Sequence, residues 1–174
     1  MRVSHMKTLY LVRHARSSRD DPGVADRDRP LEDRGKRDAR RMGKRLARRH
    51  VEPDLILSSP ALRALRTAQI MAKELGYKRK DIVVDDRLYA RRADVLLNVI
   101  RKLGDRSKRV MLFGHNPELT DLAHRFSNDI THLPTAAVAK FKFDSKSWSR
   151  VGETAACKAS LNLPEKSKRR TVLS

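Results

Sequence analysis

The chain has 174 residues, 39% hydrophobic and 35% charged, which fits one globular domain and excludes a disordered or collagen-like polymer. Its 40 lysines and arginines against 21 acidic residues leave a net charge of +19, a field that attracts polyanions, acidic protein surfaces and phosphate groups without choosing among them. A single cysteine, Cys157, excludes an intramolecular disulfide or a cysteine-built zinc site, and no apolar run is long enough for a membrane span.

Residues 1–6, which end in a second methionine, Met6, read as an N-terminal extension without the apolar core of a signal peptide. That absence and the lone cysteine give a cytoplasmic expectation. A single domain is predicted over residues 7–164. Leu9 to Val12 form a short apolar run, the pattern of a strand buried on both faces, and it ends abruptly in Arg13-His14. Ser17 to Pro30 is polar and carries the breakers Pro22, Gly23 and Pro30, so it reads as a loop. The spacing of Ala39, Met42, Leu46 and Ala47 predicts a helix from Glu32 to His50. Asp54 to Ser58 reads as a second strand. Ser59 then reads as an N-cap with Pro60 in the first helical position, opening a helix that Gly76 closes. Ile82 to Val84 gives a third strand, and Ala93 to Leu103 a further helix stopped by Gly104. Arg109 to His115 repeats the opening arrangement, an apolar strand ending in a histidine. Asn116-Pro117 starts another helix, with Leu119, Leu122, Ala123 and Phe126 on its inner face. Segments 137–143, 148–151 and 156–163 read as strands of a more antiparallel part, and residues 165–174 as a disordered basic tail. The alternation predicts an α/β fold, with a mostly parallel central sheet, helices on both faces and antiparallel strands near the C-terminus.

In an open α/β sheet, chemistry sits beyond the carboxyl ends of the strands. His14 ends one strand, Ser58-Ser59-Pro60 with Arg63 follows a second, and His115 ends a third. If those strands are neighbours, two imidazoles and two guanidiniums converge at one sheet edge, beside helix N-termini whose positive ends favour a phosphate. Arg16 and Arg66 read as surface charges, and His5, His50, His124 and His132 fall outside the pattern.

Leu-Val-Arg-His-Ala (11–15), Ser-Ser-Pro-Ala-Leu-Arg-Ala (58–64) and Gly-His-Asn-Pro (114–117), in this order, resemble the histidine phosphatase superfamily and its phosphoglycerate mutase-like fold. Asp28-Arg29-Pro30-Leu31 with Arg34-Gly35, Leu88-Tyr89 and Leu133-Pro134-Thr135 further resemble its small SixA-type phosphohistidine phosphatase branch, over about residues 7 to 150. The resemblance implies that His14 attacks phosphorus and carries a transient phosphoryl group. Arg13 and Arg63 would clamp the phosphoryl oxygens, His115 would donate a hydrogen bond where charge accumulates, and the Ser17 hydroxyl would help hold phosphate. To act as a nucleophile His14 must be neutral, and the surrounding cations are expected to lower its pKa. A phosphate or sulfate ion would fit the site, and neither a metal nor another cofactor is called for.

Two departures stand out. Ala15 replaces the superfamily's usual glycine, and the segment after the third strand, Asp85 to Arg91, lacks the glutamate that many members use as proton donor. Esters need such an acid more than phosphoramidates do, so its absence tilts the reading toward P–N cleavage, although Asp85 or Asp86 could substitute. No long insertion between Arg63 and His115 can form a lid. An open pocket of that kind suits a side chain presented by another protein. The expected function is a metal-independent phosphatase of phosphohistidine on a protein partner. The alternatives are a phosphatase of phosphoserine, phosphothreonine or a small phosphate ester, and a non-catalytic basic protein binding nucleic acid or polyphosphate. Against the last, aromatics are only 5% and offer little for base stacking.

Overall fold

Six strands make one sheet: β1 (Met6–Arg13), β2 (Leu55–Ser58), β3 (Val83–Val84), β4 (Arg109–Gly114), β5 (Val138–Asp144) and β6 (Lys158–Asn162), in the order β3-β2-β4-β1-β5-β6. The computed structural model describes residues 5–164; residues 1–4 and the predicted tail at 165–174 lie outside the described residues. β1 pairs in parallel with β4, β4 with β2, and β2 with β3, whereas β5 runs antiparallel to β1 and β6 antiparallel to β5. The architecture is the predicted one, mostly parallel with antiparallel strands at the C-terminal end.

Alternation along the central strands divides the core in two. Leu9 and Leu11 of β1 and Val110 and Leu112 of β4 pack on one face beneath α3 (Ala93–Arg101) and α4 (Glu118–Phe126), together with Phe126, Phe141 and Trp148. Tyr10, Val12, Met111 and Phe113 pack on the other beneath α1 (Asp33–Arg48) and α2 (Leu62–Glu74). Because helices cover both faces, the central strands read as continuous apolar runs rather than as half-polar ones. α1 buries Gly35, Ala39, Met42, Gly43 and Leu46 and turns its cations outward.

Three local expectations are corrected. α2 begins at Leu62, with Ala61 as its N-cap residue and no side-chain cap, so Ser59 and Pro60 precede the helix. The Ser59 hydroxyl instead accepts the Ala61 N–H (3.2 Å) in a tight turn and meets a histidine ring. The predicted strand at 148–151 is a 3₁₀ turn over Trp148–Arg150. Trp148 and Val151, three residues apart, share one face of that turn, and the Trp148 indole N–H is held by the Ser107 carbonyl at 2.6 Å. The third strand is shorter than its sequence pattern, two half-exposed valines at the sheet edge. Among the described residues, no helix is long and apolar enough to cross a membrane.

Candidate active site

β1 and β4 are adjacent and in register from Thr8↔Arg109 to Arg13↔Gly114, so the residues that follow them, His14 and His115, leave the sheet side by side. The His14 amide donates to the Gly114 carbonyl at 3.1 Å, and the two rings lie 5.3 Å apart between centroids. Arg13, Ser17, Arg63 and both histidines line one open cleft of about 440 Å³. All five residues singled out from the sequence are thus brought together.

The backbone sets the nucleophile. His14 Nδ1 lies 2.7 Å from the Ala15 carbonyl oxygen, which can only accept, so Nδ1 carries the proton and Nε2 keeps the lone pair. Ala15 performs this through its backbone while its methyl packs into the core. Its own amide donates to Thr67 Oγ1 (3.0 Å), whose hydroxyl in turn donates to the Arg63 carbonyl (2.7 Å), tying α2 to the turn after β1. Burial presses the His14 pKa down to about 4, opposed by the Ala15 bond and aided, each to a lesser extent, by the Arg63, Arg13 and Arg29 charges. Desolvation therefore exceeds the cations that the sequence reading named as the cause. Burial, and then the charges of His14, Arg63 and Arg13 against that of Asp26, brings His115 to about 3.

His115 Nε2 lies 2.7 Å from Ser59 Oγ. The Ser59 oxygen also accepts the Ala61 amide, so this serine ties the His115 ring to the turn that precedes α2. Arg13 donates through Nη1 to the Leu133 carbonyl (3.2 Å), and the Asn116 amide reaches the same oxygen (2.8 Å), so residues before β5 brace both sides of the cleft.

Four further residues complete the site, and motif reading gave none of them a role. Arg29 donates to Ser17 Oγ at 2.8 Å, which engages the Ser17 hydroxyl and adds a further guanidinium to the cleft. Asp26 accepts from Arg63 through both its backbone carbonyl (2.7 Å) and its carboxylate (3.1 Å), and also pairs with Arg29 (3.4 Å). Tyr89 stands edge-on to His115 at 5.4 Å and donates its hydroxyl to the Asp26 carboxylate. That bond, with the arginines, holds the Asp26 carboxyl below its ordinary pKa. Glu118, at the start of α4, lines an adjoining cleft of about 390 Å³ with Tyr89, Arg63 and His115. Arg29 and Tyr89 sit inside segments that carry the resemblance, but Asp26 and Glu118 are joined to the site only by tertiary closure.

Buried polar atoms in native proteins are almost always hydrogen-bonded, and the exceptions mark places of function. Among the described residues, the buried side-chain atoms without a hydrogen-bond partner are Arg13 Nε, Arg29 Nε, Arg63 Nε, His115 Nδ1 and Glu118 Oε2. Every one belongs to a residue lining these two clefts. Four are nitrogens; Arg29 Nε pairs with the Asp26 carboxylate at 3.4 Å, and Arg13 Nε, Arg63 Nε and His115 Nδ1 are groups of the kind that an oxyanion takes up. No three His, Cys, Asp or Glu side chains among the described residues gather so as to hold a metal ion. A larger hollow, about 500 Å³ around His5, Phe143 and Cys157, lies at the opposite rim of the sheet and has no such gathering.

Comparison with known proteins agrees with the geometry. An uncharacterized chloroplastic protein of Arabidopsis thaliana is 31% identical over 154 residues, 84% of this chain and 71% of the relative. The structure of SixA from Agrobacterium tumefaciens superposes with a TM-score of 0.73 at 30% identity, over 79% of this chain and 92% of that one. A SixA solved with tungstate gives 0.72 at 21% identity, over 90% and 94%. Residues 9–99 match the sequence profile of the histidine phosphatase superfamily, branch 1, a span that takes in the first histidine and Arg63. With that profile, the superposed folds and the paired imidazoles in agreement, the chain belongs to the histidine phosphatase superfamily and is of the SixA type.

Proposed function

We propose that the protein is a metal-independent phosphatase that passes the phosphoryl group through His14, and that its substrate is phosphohistidine on a partner protein. One observation carries the reading: a neutral imidazole with its Nε2 lone pair fixed by the Ala15 carbonyl, in a cleft where unpartnered nitrogens of Arg13, Arg63 and His115 await an oxyanion. His14 Nε2 attacks phosphorus, the bond to the leaving atom breaks, and water then releases phosphate from the ring. Arg13 and Arg63 neutralise the equatorial oxygens, and the His115 donor strengthens as charge builds on them. The openness of the cleft favours a side chain offered by a protein over an enclosed metabolite, and the SixA solved with tungstate is a protein histidine phosphatase by description.

The decisive experiment uses a radiolabelled phosphohistidine peptide in the presence of chelator. Turnover should persist, and quenched protein should carry an acid-labile phosphoryl group that maps to His14. His14→Ala should lose the label and slow turnover by on the order of 10³-fold or more. Full activity in that variant, or a label on another residue, removes His14 from the chemistry.

A further inference from the structure

The sequence lacks a glutamate after β3, and the structure excludes Asp85 as its substitute. Asp85 accepts from the Arg87 guanidinium at 3.0 and 2.6 Å, and that pairing holds its carboxyl below the ordinary range. Asp26 is likewise kept ionised by Tyr89 and Arg63. Neither can hold a proton near neutrality. Glu118 differs on each count. It follows the Gly114-His115-Asn116-Pro117 turn, borders the 390 Å³ cleft, and is 1% exposed. Its Oε2 is the one oxygen among the unpartnered buried side-chain atoms of the described residues.

Resting on the reading that His14 takes the phosphoryl group, we propose that Glu118 is the proton donor to the departing atom, supplied from α4 rather than from the end of β3. The site then handles phosphate monoesters as well as phosphoramidates. In the first step, the His14 Nε2 lone pair forms the P–N bond while the P–O bond of the ester breaks. The released electron pair stays on oxygen, which takes the Glu118 proton. In the second, water attacks the phosphorus on His14 and gives a proton to the Glu118 carboxylate. The P–N electrons return to Nε2, phosphate departs, and both residues are restored. Glu118 is equipped for this: burial, aided by Asp121 and opposed by its own backbone N–H and by Arg91 and Arg63, raises its pKa to about 7. Two carboxyls at one site, Asp26 pushed down and Glu118 pushed up, are the pattern by which enzymes separate an ionised from a proton-bearing role.

The test compares kcat/KM for phenyl phosphate, a poor leaving group, with that for p-nitrophenyl phosphate, a good one, in wild type and in Glu118→Gln. The variant should lose on the order of 10²- to 10³-fold on phenyl phosphate and at least tenfold less on the nitrophenyl ester, because general acid catalysis matters most for basic leaving groups. The wild-type fall in rate above about pH 7 should vanish in Glu118→Gln, and Glu118→Asp should recover part of the phenyl phosphate activity. Equal losses on both esters, as misfolding or simple repacking would give, or no loss on either, overturn the proposal. Trapping the phosphoryl group with p-nitrophenyl phosphate separates the two ideas. A Glu118→Gln protein that labels His14 but loses both esters equally leaves the nucleophile standing and removes the acid. A wild-type protein without label on His14 removes both.

Discussion

The chemistry of His14 is decided by one neighbour in the chain and by burial. The Ala15 carbonyl chooses the protonated nitrogen, and burial more than charge keeps the ring neutral. The same burial makes folding pH-dependent, with a sign that can be worked out. Unfolding returns the His14 and His115 rings from about 4 and about 3 to their ordinary value near 6.5. Between about pH 4.5 and 6.5 the unfolded chain therefore binds two protons that the folded chain refuses, while folded Glu118, raised to about 7, holds one that the unfolded chain releases. The net is one proton in favour of the unfolded state. Stability should thus be full above that window and fall by about 1.4 kcal/mol per pH unit as pH drops through it. Urea midpoints across the window should show this decline in wild type, a nearly flat response in His14→Asn and a steeper one in Glu118→Gln. A decline of equal slope in all three would mean that these groups are not held as described.

At the scale of elements, the site depends on how closely α1 approaches the turn after β1. Gly35 lies in the first turn of α1, and a Cβ there would stand 2.2 Å from the Arg16 carbonyl oxygen and 3.0 Å from its nitrogen. That oxygen accepts the Glu32 amide at 2.9 Å, so the contact cannot loosen without breaking the helix entry. Gly35→Ala should destabilise the fold by about 1–3 kcal/mol, as overpacking does, and lower kcat by shifting the Ala15 carbonyl that aims His14. Unfolding curves and single-turnover rates measure the two effects. This contact gives Arg34-Gly35 a physical reason that no periodicity could supply. Apolar runs ending in His14 and His115 were readable because a buried parallel strand leaves an unmistakable pattern, and their convergence followed from the strand order. Asp26, Arg29 and Tyr89 were not readable as partners of Arg63 and His115, since a loop without period gives no clue to which side chains it brings back to the sheet. The strand expected at Trp148 to Val151 failed for a different reason: its apolar positions lie three apart, which a 3₁₀ turn brings to one face and a strand, with its period of two, does not.

Across the whole molecule, +19 charges repel one another, and five arginines line the cleft, where an anion would relieve them. Salt should stabilise the protein by screening that repulsion, and phosphate should do so further by binding the folded state alone. At matched ionic strength, sodium phosphate should raise Tm above sodium chloride, and the excess should disappear in Arg63→Ala. Persistence of the excess in that variant would place the anion elsewhere on the basic surface. The ladder between β1 and β4 has a different consequence. Because Arg13 is paired with Gly114 inside the sheet, the two histidines leave it side by side by virtue of backbone hydrogen bonding, and the Ala15 carbonyl and the Ser59 hydroxyl then orient their rings. Residues 19–25, which lie between Ser17 and the Asp26 and Arg29 that brace the cleft, could accordingly be exchanged in the laboratory, or drift through descent, and so alter which molecules gain entry while the reactive pair kept its aim.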